Sequence, residues 1–181
     1  MHKPTVAQRE IIKDGNIVSD DWEIIRLVEG ESAATIELPE GKIVVPLSVW
    51  QAHHDKLSGR GNVGVWLASA ERADTLENDI HTLPVIAIDF PKFSDGRGYS
   101  IAYNLRARLG YKGELRAIGD VLRDQLFYMQ RVGFNSFATR SDKNIQDALK
   151  GLSDFSISYQ TSIDQKFPLF RRVERPGKHA S

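Results

Sequence analysis

The chain has 181 residues, of which 24 are Lys or Arg and 24 are Asp or Glu, so its formal net charge is zero. This balance disfavours a general nucleic-acid or membrane-surface role, although it permits a local basic patch. The chain is long enough to bury a core within one domain, and its lack of cysteine excludes a thiol redox centre, cysteine-bound iron–sulfur clusters and cysteine-rich zinc sites.

The N-terminal part predicts a β-hairpin. Asp14-Gly15 separates two short apolar segments in EIIKDGNIV, residues 10–18, and Asp-Gly is typical of a tight hairpin turn. The residues before it show neither a signal peptide nor an apolar run long enough to cross a membrane. We therefore expect a hairpin and lead-in over residues 1–41 of a cytoplasmic protein that does not contact a membrane.

From residue 42, short apolar runs alternate with helical patterns. The runs that predict strands are KIVVPL, NVGVWLA, LPVIAIDF, GELRAIG, FNSFAT and FSISYQ, and the stretches between them predict helices. This alternation favours an α/β fold of repeating βα units around a mainly parallel sheet. Charged residues within the strands also suit an incomplete TIM-like (β/α) barrel. We assign residues 42–166 to this βα domain, which forms one unit with the hairpin, and residues 167–181 to a basic, flexible tail.

The loop SDGRGYS, residues 94–100, joins a predicted strand to a predicted helix. Gly96 and Gly98 flank Arg97 there, and free backbone N–H groups at a helix N-terminus attract anions. Sulfite, sulfate, phosphate or a carboxylate would suit such a site. The alternative is a tight turn in which Arg97 pairs with a nearby carboxylate such as Asp95 or Asp124.

A second loop, GDVLRDQ at residues 119–125, leads into the next predicted helix, with Asp120 as its expected N-cap. If the strands before the two loops are parallel neighbours, both loops leave the same carboxyl edge of the sheet. Two arginines and an acid could then converge on an anion. The predicted anion-binding residues are Gly96, Arg97, Gly98, Arg123 and Gln125, and the candidate acid/base groups are Asp120 and Asp124.

Two charged residues lie inside predicted strands, Asp89 and Arg116. Parallel strands covered on both faces usually read as continuous apolar runs, and a buried charge is costly unless it is paired. We expect these residues to form a structural ion pair, either with each other or with neighbouring loop charges.

The chain offers no convincing metal or nucleotide motif. His53 and His54 are adjacent on a predicted helix, where their side chains diverge. The glycines of SGRGNVG, residues 58–64, follow a helix and lead into a strand, the reverse of a dinucleotide-binding turn. No metal and no cofactor is therefore assigned, while a bound flavin or nucleotide stays open.

The segment FPKFSDGRGYSIAYNLRARLGYKGELRAIGDVLRDQL, residues 90–126, resembles a bacterial family of unknown function labelled as an oxidoreductase of sulfite reduction. IIKDGNIV and DFSISYQ resemble the same family, which extends the resemblance from about residue 11 to residue 160. The resemblance implies a role beside the sulfite/nitrite reductase haemoprotein in assimilatory sulfur metabolism, and it assigns no catalytic residues.

Two functional hypotheses follow. The first is an accessory or partner protein in sulfite or sulfate reduction that binds a small oxyanion or the sulfite reductase haemoprotein. A chain without cysteine favours this hypothesis over a self-sufficient reductase. The second is a small α/β enzyme that acts on an anionic metabolite at the carboxyl edge of the sheet.

Overall fold

The computed structural model describes residues 9–92 and 95–153. Its strands are β1 (Glu10–Lys13), β2 (Asn16–Ser19), β3 (Glu23–Ile24), β4 (Ile43–Pro46), β5 (Val63–Leu67), β6 (Val85–Phe90), β7 (Glu114–Gly119) and β8 (Ser136–Phe137). Its helices are α1 (Leu47–Ala52), α2 (His54–Leu57), α3 (Arg97–Tyr103), α4 (Arg123–Val132) and α5 (Ile145–Lys150). A π-helical turn at Asn104–Arg108 extends α3, and 3₁₀ turns lie at Ala73–Leu76 and Gly151–Ser153.

The strands form an eight-stranded sheet in the order β2-β1-β8-β7-β6-β5-β4-β3. Strands β3 to β8 run parallel to one another, while β1 is antiparallel to both β2 and β8. The sheet curls into a half barrel. The predicted α/β fold with a mainly parallel sheet and an N-terminal hairpin is confirmed.

The hairpin forms because its two turn residues tolerate left-handed backbone. Asp14 has φ 50° and Gly15 has φ 78°, as a two-residue type I′ turn requires. The turn pairs Lys13 with Asn16, and β1 then joins the hairpin to β8. The hairpin thus becomes one edge of the sheet.

The two faces of the sheet bury different residues, as β6 shows. Ile86, Ile88 and Phe90 belong to the larger core, which includes the apolar sides of α1, α3 and α4. Val85 and Ala87 alternate with them and join a smaller cluster with Val44, Ile118 and partly buried Trp22, Ile24, Trp66 and Ala138. We call the face that carries the smaller cluster the inner face.

Several predicted elements differ in extent. The helix expected at residues 48–57 breaks at His53 (φ −118°) into α1 and α2, and ADTLENDI forms one 3₁₀ turn. Strand β3 was not predicted, because two residues show no periodicity. The predicted FSISYQ strand and the basic tail lie outside the described residues. In the described ranges, no helix is long and apolar enough to span a membrane.

Candidate functional site

The two predicted loops leave the sheet at the same edge. Strands β6 and β7 are parallel and in register from Val85 opposite Glu114 to Phe90 opposite Gly119, so the segments after Phe90 and Gly119 both start at the carboxyl ends. The predicted placement of the loops is confirmed.

Arg97 pairs within its own loop. Its Nε donates to Asp95 Oδ1 at 3.0 Å, and its Nη2 donates to Asp95 Oδ2 at 2.8 Å and to Ser69 Oγ at 3.1 Å. The hydrogen bonds from Arg97 hold the pKa of the Asp95 carboxyl well below its usual range. This arrangement matches the turn with a paired arginine, and anion binding by Arg97 stays a prediction.

The glycines beside Arg97 have different surroundings. A Cβ on Gly96 would meet nothing within 4 Å, whereas a Cβ on Gly98 would lie 2.6 Å from the Phe90 ring. Gly98 therefore allows the first turn of α3 to approach β6 closely. Its place in the motif has a packing explanation that needs no ligand.

The second loop begins differently from the prediction. The N-cap of α4 is Leu122, so the assignment of Asp120 as N-cap is wrong. Gly119, with φ 87°, turns the chain at the end of β7, and Val121 then enters the core at 0% exposure. The helix can start only after that buried side chain. Asp120 instead accepts a hydrogen bond from Arg140 Nη1 at 3.2 Å.

Two further predicted residues of this loop, Arg123 and Asp124, lie beside α5. Arg123 Nη1 donates to Asp147 Oδ1 at 3.0 Å, and both residues line a cavity of about 240 Å³ together with Asp124. Gln125 is half-buried in the first turn of α4. Arg97 contacts Asp95 and Ser69, whereas Arg123 contacts Asp147. The described contacts of Arg97 and Arg123 are therefore with different residues.

Asp89 and Arg116 do not pair with each other. Their strands place Asp89 opposite Ile118 and Arg116 opposite Ala87, which staggers the two charges along the sheet. Each of them instead contacts a residue of the segment after β2. Asp89 Oδ1 accepts from Arg26 Nη2 at 2.8 Å, and Arg116 Nη1 donates to Asp20 Oδ1 at 2.9 Å.

Arg116 is the buried centre of a cluster on the inner face. Its Nε and Nη2 donate to Glu114 Oε1 at 3.0 and 2.8 Å. The side chains of Arg116, Asp20 and Glu114 are 1%, 2% and 6% exposed. Lys13 Nζ adds a contact of 3.4 Å to Glu114. The structural role expected for Arg116 is thus fulfilled with partners other than Asp89.

A large cavity opens beside this cluster at the carboxyl ends of β3, β7 and β8. Its volume is about 990 Å³, and we call it the inner-face cavity. Parallel α/β sheets and barrels place their binding sites at this end of the strands. Its basic lining residues are Arg9, Arg26, Arg116, Arg140 and Lys143, and its acidic ones are Glu10, Asp20 and Asp142.

Carboxylates and a ring hold the guanidinium groups of this cavity in place. Arg26 contacts Asp89 and lies over the Trp66 ring, 5.0 Å from its centroid. Arg140 donates from Nε and Nη2 to Asp142, both at 3.0 Å, as well as to Asp120. Because Arg26, Arg116 and Arg140 each have an acidic partner, the cavity offers oriented N–H donors rather than a large excess of positive charge.

The model of a bacterial family of proteins of unknown function, DUF934, matches residues 64–170, which is more than half of the chain. The chain belongs to this family. No curated protein and no solved structure matches it. The match to DUF934 includes residues 90–126, and the description of DUF934 names no activity.

Sequence reasoning on this DUF934 protein missed the most prominent basic residues of the inner-face cavity. Arg140 follows the FNSFAT strand, so the rule of the carboxyl edge could have found it. Arg26 follows β3, whose two residues carry no recognisable pattern. In the described ranges, no three His, Cys, Asp or Glu side chains cluster as metal ligands would.

Proposed function

We propose that this protein binds a small oxyanion in the inner-face cavity and acts as an accessory or partner protein in assimilatory sulfite reduction. One observation carries the binding proposal: Arg26, Arg116 and Arg140 line a single cavity at the carboxyl end of the sheet. A guanidinium group presents paired N–H donors that match the oxygens of sulfite, sulfate or phosphate.

Arg140 is the best placed of the three to touch a ligand. Its side chain is 41% exposed, and three of its five N–H hydrogens are used by Asp120 and Asp142. One hydrogen on each terminal nitrogen is left for an oxyanion. Since the two carboxylates already fix the guanidinium, an anion would lose little affinity to side-chain ordering.

The sulfite-reduction part of the proposal is supported by the resemblance of residues 90–126 to proteins with that label. The complete lack of cysteine favours a partner that carries the electrons, since this chain has no thiol to carry them. The proposed partner is the sulfite/nitrite reductase haemoprotein. Such an accessory protein should co-purify with the haemoprotein and show no turnover alone.

The binding test compares melting temperatures in sulfite, sulfate and chloride at equal ionic strength. A ligand at 100 times its Kd stabilises the folded state by about 2.7 kcal/mol, which corresponds to roughly 5–11 °C for a chain of this size. Arg140→Lys should lose most of the oxyanion effect, because lysine lacks the fork. Arg72→Lys is the matched control, since Arg72 is exposed and pairs with Asp74 away from this cavity. Equal oxyanion stabilisation in both variants would refute binding at Arg140.

A second candidate has one specific observation in its favour. Asp120, a candidate acid/base residue, is hydrogen-bonded to Arg140 of the cavity and its side chain is 22% exposed. A small α/β enzyme acting on an anionic metabolite could use this pair for binding and proton transfer. Turnover of a phosphorylated or carboxylated metabolite by the purified chain, lost in Asp120→Asn with binding retained, would favour this candidate over the accessory role.

A further inference from the structure

A second, smaller cavity lies on the other side of Arg26. Its volume is about 290 Å³, and we call it the Trp66 cavity. It opens at the carboxyl ends of β3, β4 and β5, next to the inner-face cavity, and Arg26 lines both. Its lining residues are Arg26, Leu27, Pro46, Leu47, Ser48, Trp66 and Glu71. This volume is near the lower limit for ligand sites, which suits a small metabolite.

Arg26 supplies a fixed cationic group to the Trp66 cavity. Its two terminal nitrogens contact the Asp89 carboxylate at 2.8 and 3.4 Å, and its guanidinium stacks on Trp66. Among the described residues these contacts occupy two of its five N–H hydrogens. The side chain is 49% exposed, so the remaining three can bind an acidic group of a ligand.

Glu71 supplies the opposite charge to the same cavity. Its Oε1 accepts a hydrogen bond from the Ala68 backbone N–H at 2.7 Å, which fixes the carboxylate at the end of β5. No described residue donates to its Oε2, and that oxygen can accept from an ammonium group. A simple organic anion would be repelled by Glu71, and a simple cation would be repelled by Arg26.

The rest of the lining is mainly apolar. Leu27 and Leu47 contribute aliphatic side chains, Pro46 contributes its ring, and the Trp66 indole is fixed by a hydrogen bond of 2.8 Å to the Ile25 carbonyl. Such a surface favours an uncharged hydrocarbon group on a ligand that also carries polar ends.

We propose that the Trp66 cavity binds a small zwitterion with an apolar part, an amino acid or an aminosulfonate. Arg26 binds its carboxylate or sulfonate, and Glu71 binds its ammonium group. The hydrocarbon part packs against Leu27, Leu47 and Trp66. This site shares Arg26 with the inner-face cavity, but it does not include Arg140, the proposed oxyanion contact.

Calorimetric titration with three matched probes tests the proposal. L-leucine carries both charges, isocaproate is leucine without the ammonium group, and isoamylamine is leucine without the carboxylate. We expect leucine to bind at least ~10-fold more tightly than either analogue, because each lost charge-assisted hydrogen bond costs about a factor of ten or more. Taurine and β-alanine differ only in carrying a sulfonate or a carboxylate, so a higher affinity for taurine than for β-alanine would identify the sulfonate as the preferred acid.

Glu71→Gln isolates the ammonium contact. The glutamine oxygen can still accept from Ala68, so the loop keeps its hydrogen bond while the charge is removed. Leucine affinity should then fall ~10-fold, towards that of isocaproate. Glu77→Gln is the matched control, because Glu77 is exposed and lines neither cavity, and it should bind leucine as the wild type does.

Two results would overturn the proposal: no binding of leucine or taurine, or equal affinities for leucine and its two analogues. The oxyanion proposal would survive either result. Conversely, Arg140→Lys should lose most of the oxyanion effect and leave leucine binding unchanged, so the failure of one site can be distinguished from the failure of the other.

Discussion

Replacing Arg116 with methionine should strongly destabilise the fold. The change keeps an unbranched side chain but removes a guanidinium that is 1% exposed and donates to both Asp20 and Glu114. Breaking a buried ion pair by removing one partner typically costs about 3–5 kcal/mol, because it leaves an uncompensated buried charge. Lys13 lies 3.4 Å from Glu114 and is itself partly exposed, so we place the cost near ~3 kcal/mol.

Urea denaturation followed by circular dichroism measures this cost. With an m value of roughly 2 kcal/mol/M, a loss of ~3 kcal/mol lowers the midpoint by about 1.5 M. The matched control is Arg72→Met, which breaks a contact between exposed side chains and should cost about 0–1 kcal/mol.

The pH dependence tests the mechanism separately. Burial alone would raise the pKa of Glu114, but the charge of Arg116, hydrogen bonds from Ser136 and Arg116 and the charge of Lys13 together outweigh burial and hold that pKa below its usual value. Wild-type Glu114 thus contributes stability that is present above its unfolded pKa and is lost as the pH falls through the folded pKa. Without Arg116 the pKa of Glu114 in the folded state should rise. Protonation of Glu114 should then remove the unpaired buried charge from the variant. The difference in unfolding free energy between the wild type and Arg116→Met should therefore become smaller as the pH falls from about 7 to about 4.5.

A third variant checks that charge, rather than shape, causes the loss. Adding Asp20→Asn and Glu114→Gln to Arg116→Met removes the orphaned charges and should recover much of the stability. A midpoint for Arg116→Met within 0.3 M (roughly 0.6 kcal/mol at that m value) of the Arg72→Met control would show that the cluster is solvated, and the reasoning would fail.

Two further predictions concern other parts of the fold. The hydrogen bond to Asp79 Oδ1 at 2.8 Å raises the pKa of His54, so the stability that this contact contributes should be full below the unfolded pKa and lost as the pH rises through the folded pKa. His54→Gln should therefore flatten the melting-temperature profile between about pH 5.5 and pH 8. An unchanged profile would refute a contribution of the His54–Asp79 contact to stability. Gly98→Ala should destabilise α3 by about 1–3 kcal/mol by forcing its Cβ against Phe90, whereas Gly96→Ala should be nearly neutral; equal chemical-denaturation midpoints for the two variants would contradict the packing role of Gly98.

Local patterns were enough to predict the α/β class. Asp14-Gly15 marked the hairpin turn, and the apolar runs at residues 43–46, 63–67, 85–90 and 114–119 became strands. These signals work because side-chain periodicity and turn chemistry act over a few residues. The shared carboxyl edge of the two central loops was also predictable, since it follows from the parallel pairing of consecutive strands.

The same local reasoning failed where several roles fit one residue. Aspartate is a common N-cap residue, which favoured Asp120, but Val121 is buried and α4 begins only at Arg123. Gly98 had the appearance of an anion-binding glycine, and its close approach to Phe90 is visible only once α3 packs on β6.

Local sequence patterns do not show which charged residues, far apart in the sequence, form ion pairs. Arg116 pairs with Asp20 across 96 residues of sequence, and Arg26 pairs with Asp89 across 63. Those contacts depend on the curl of the sheet and on the path of the segment between β2 and β4 along its inner face. The amino-acid sequence therefore predicts that Asp89 and Arg116 have oppositely charged partners, because buried charge is costly. Strand order and register, which arise from packing over the whole chain, selected the partners and thereby built the cavity at the carboxyl end.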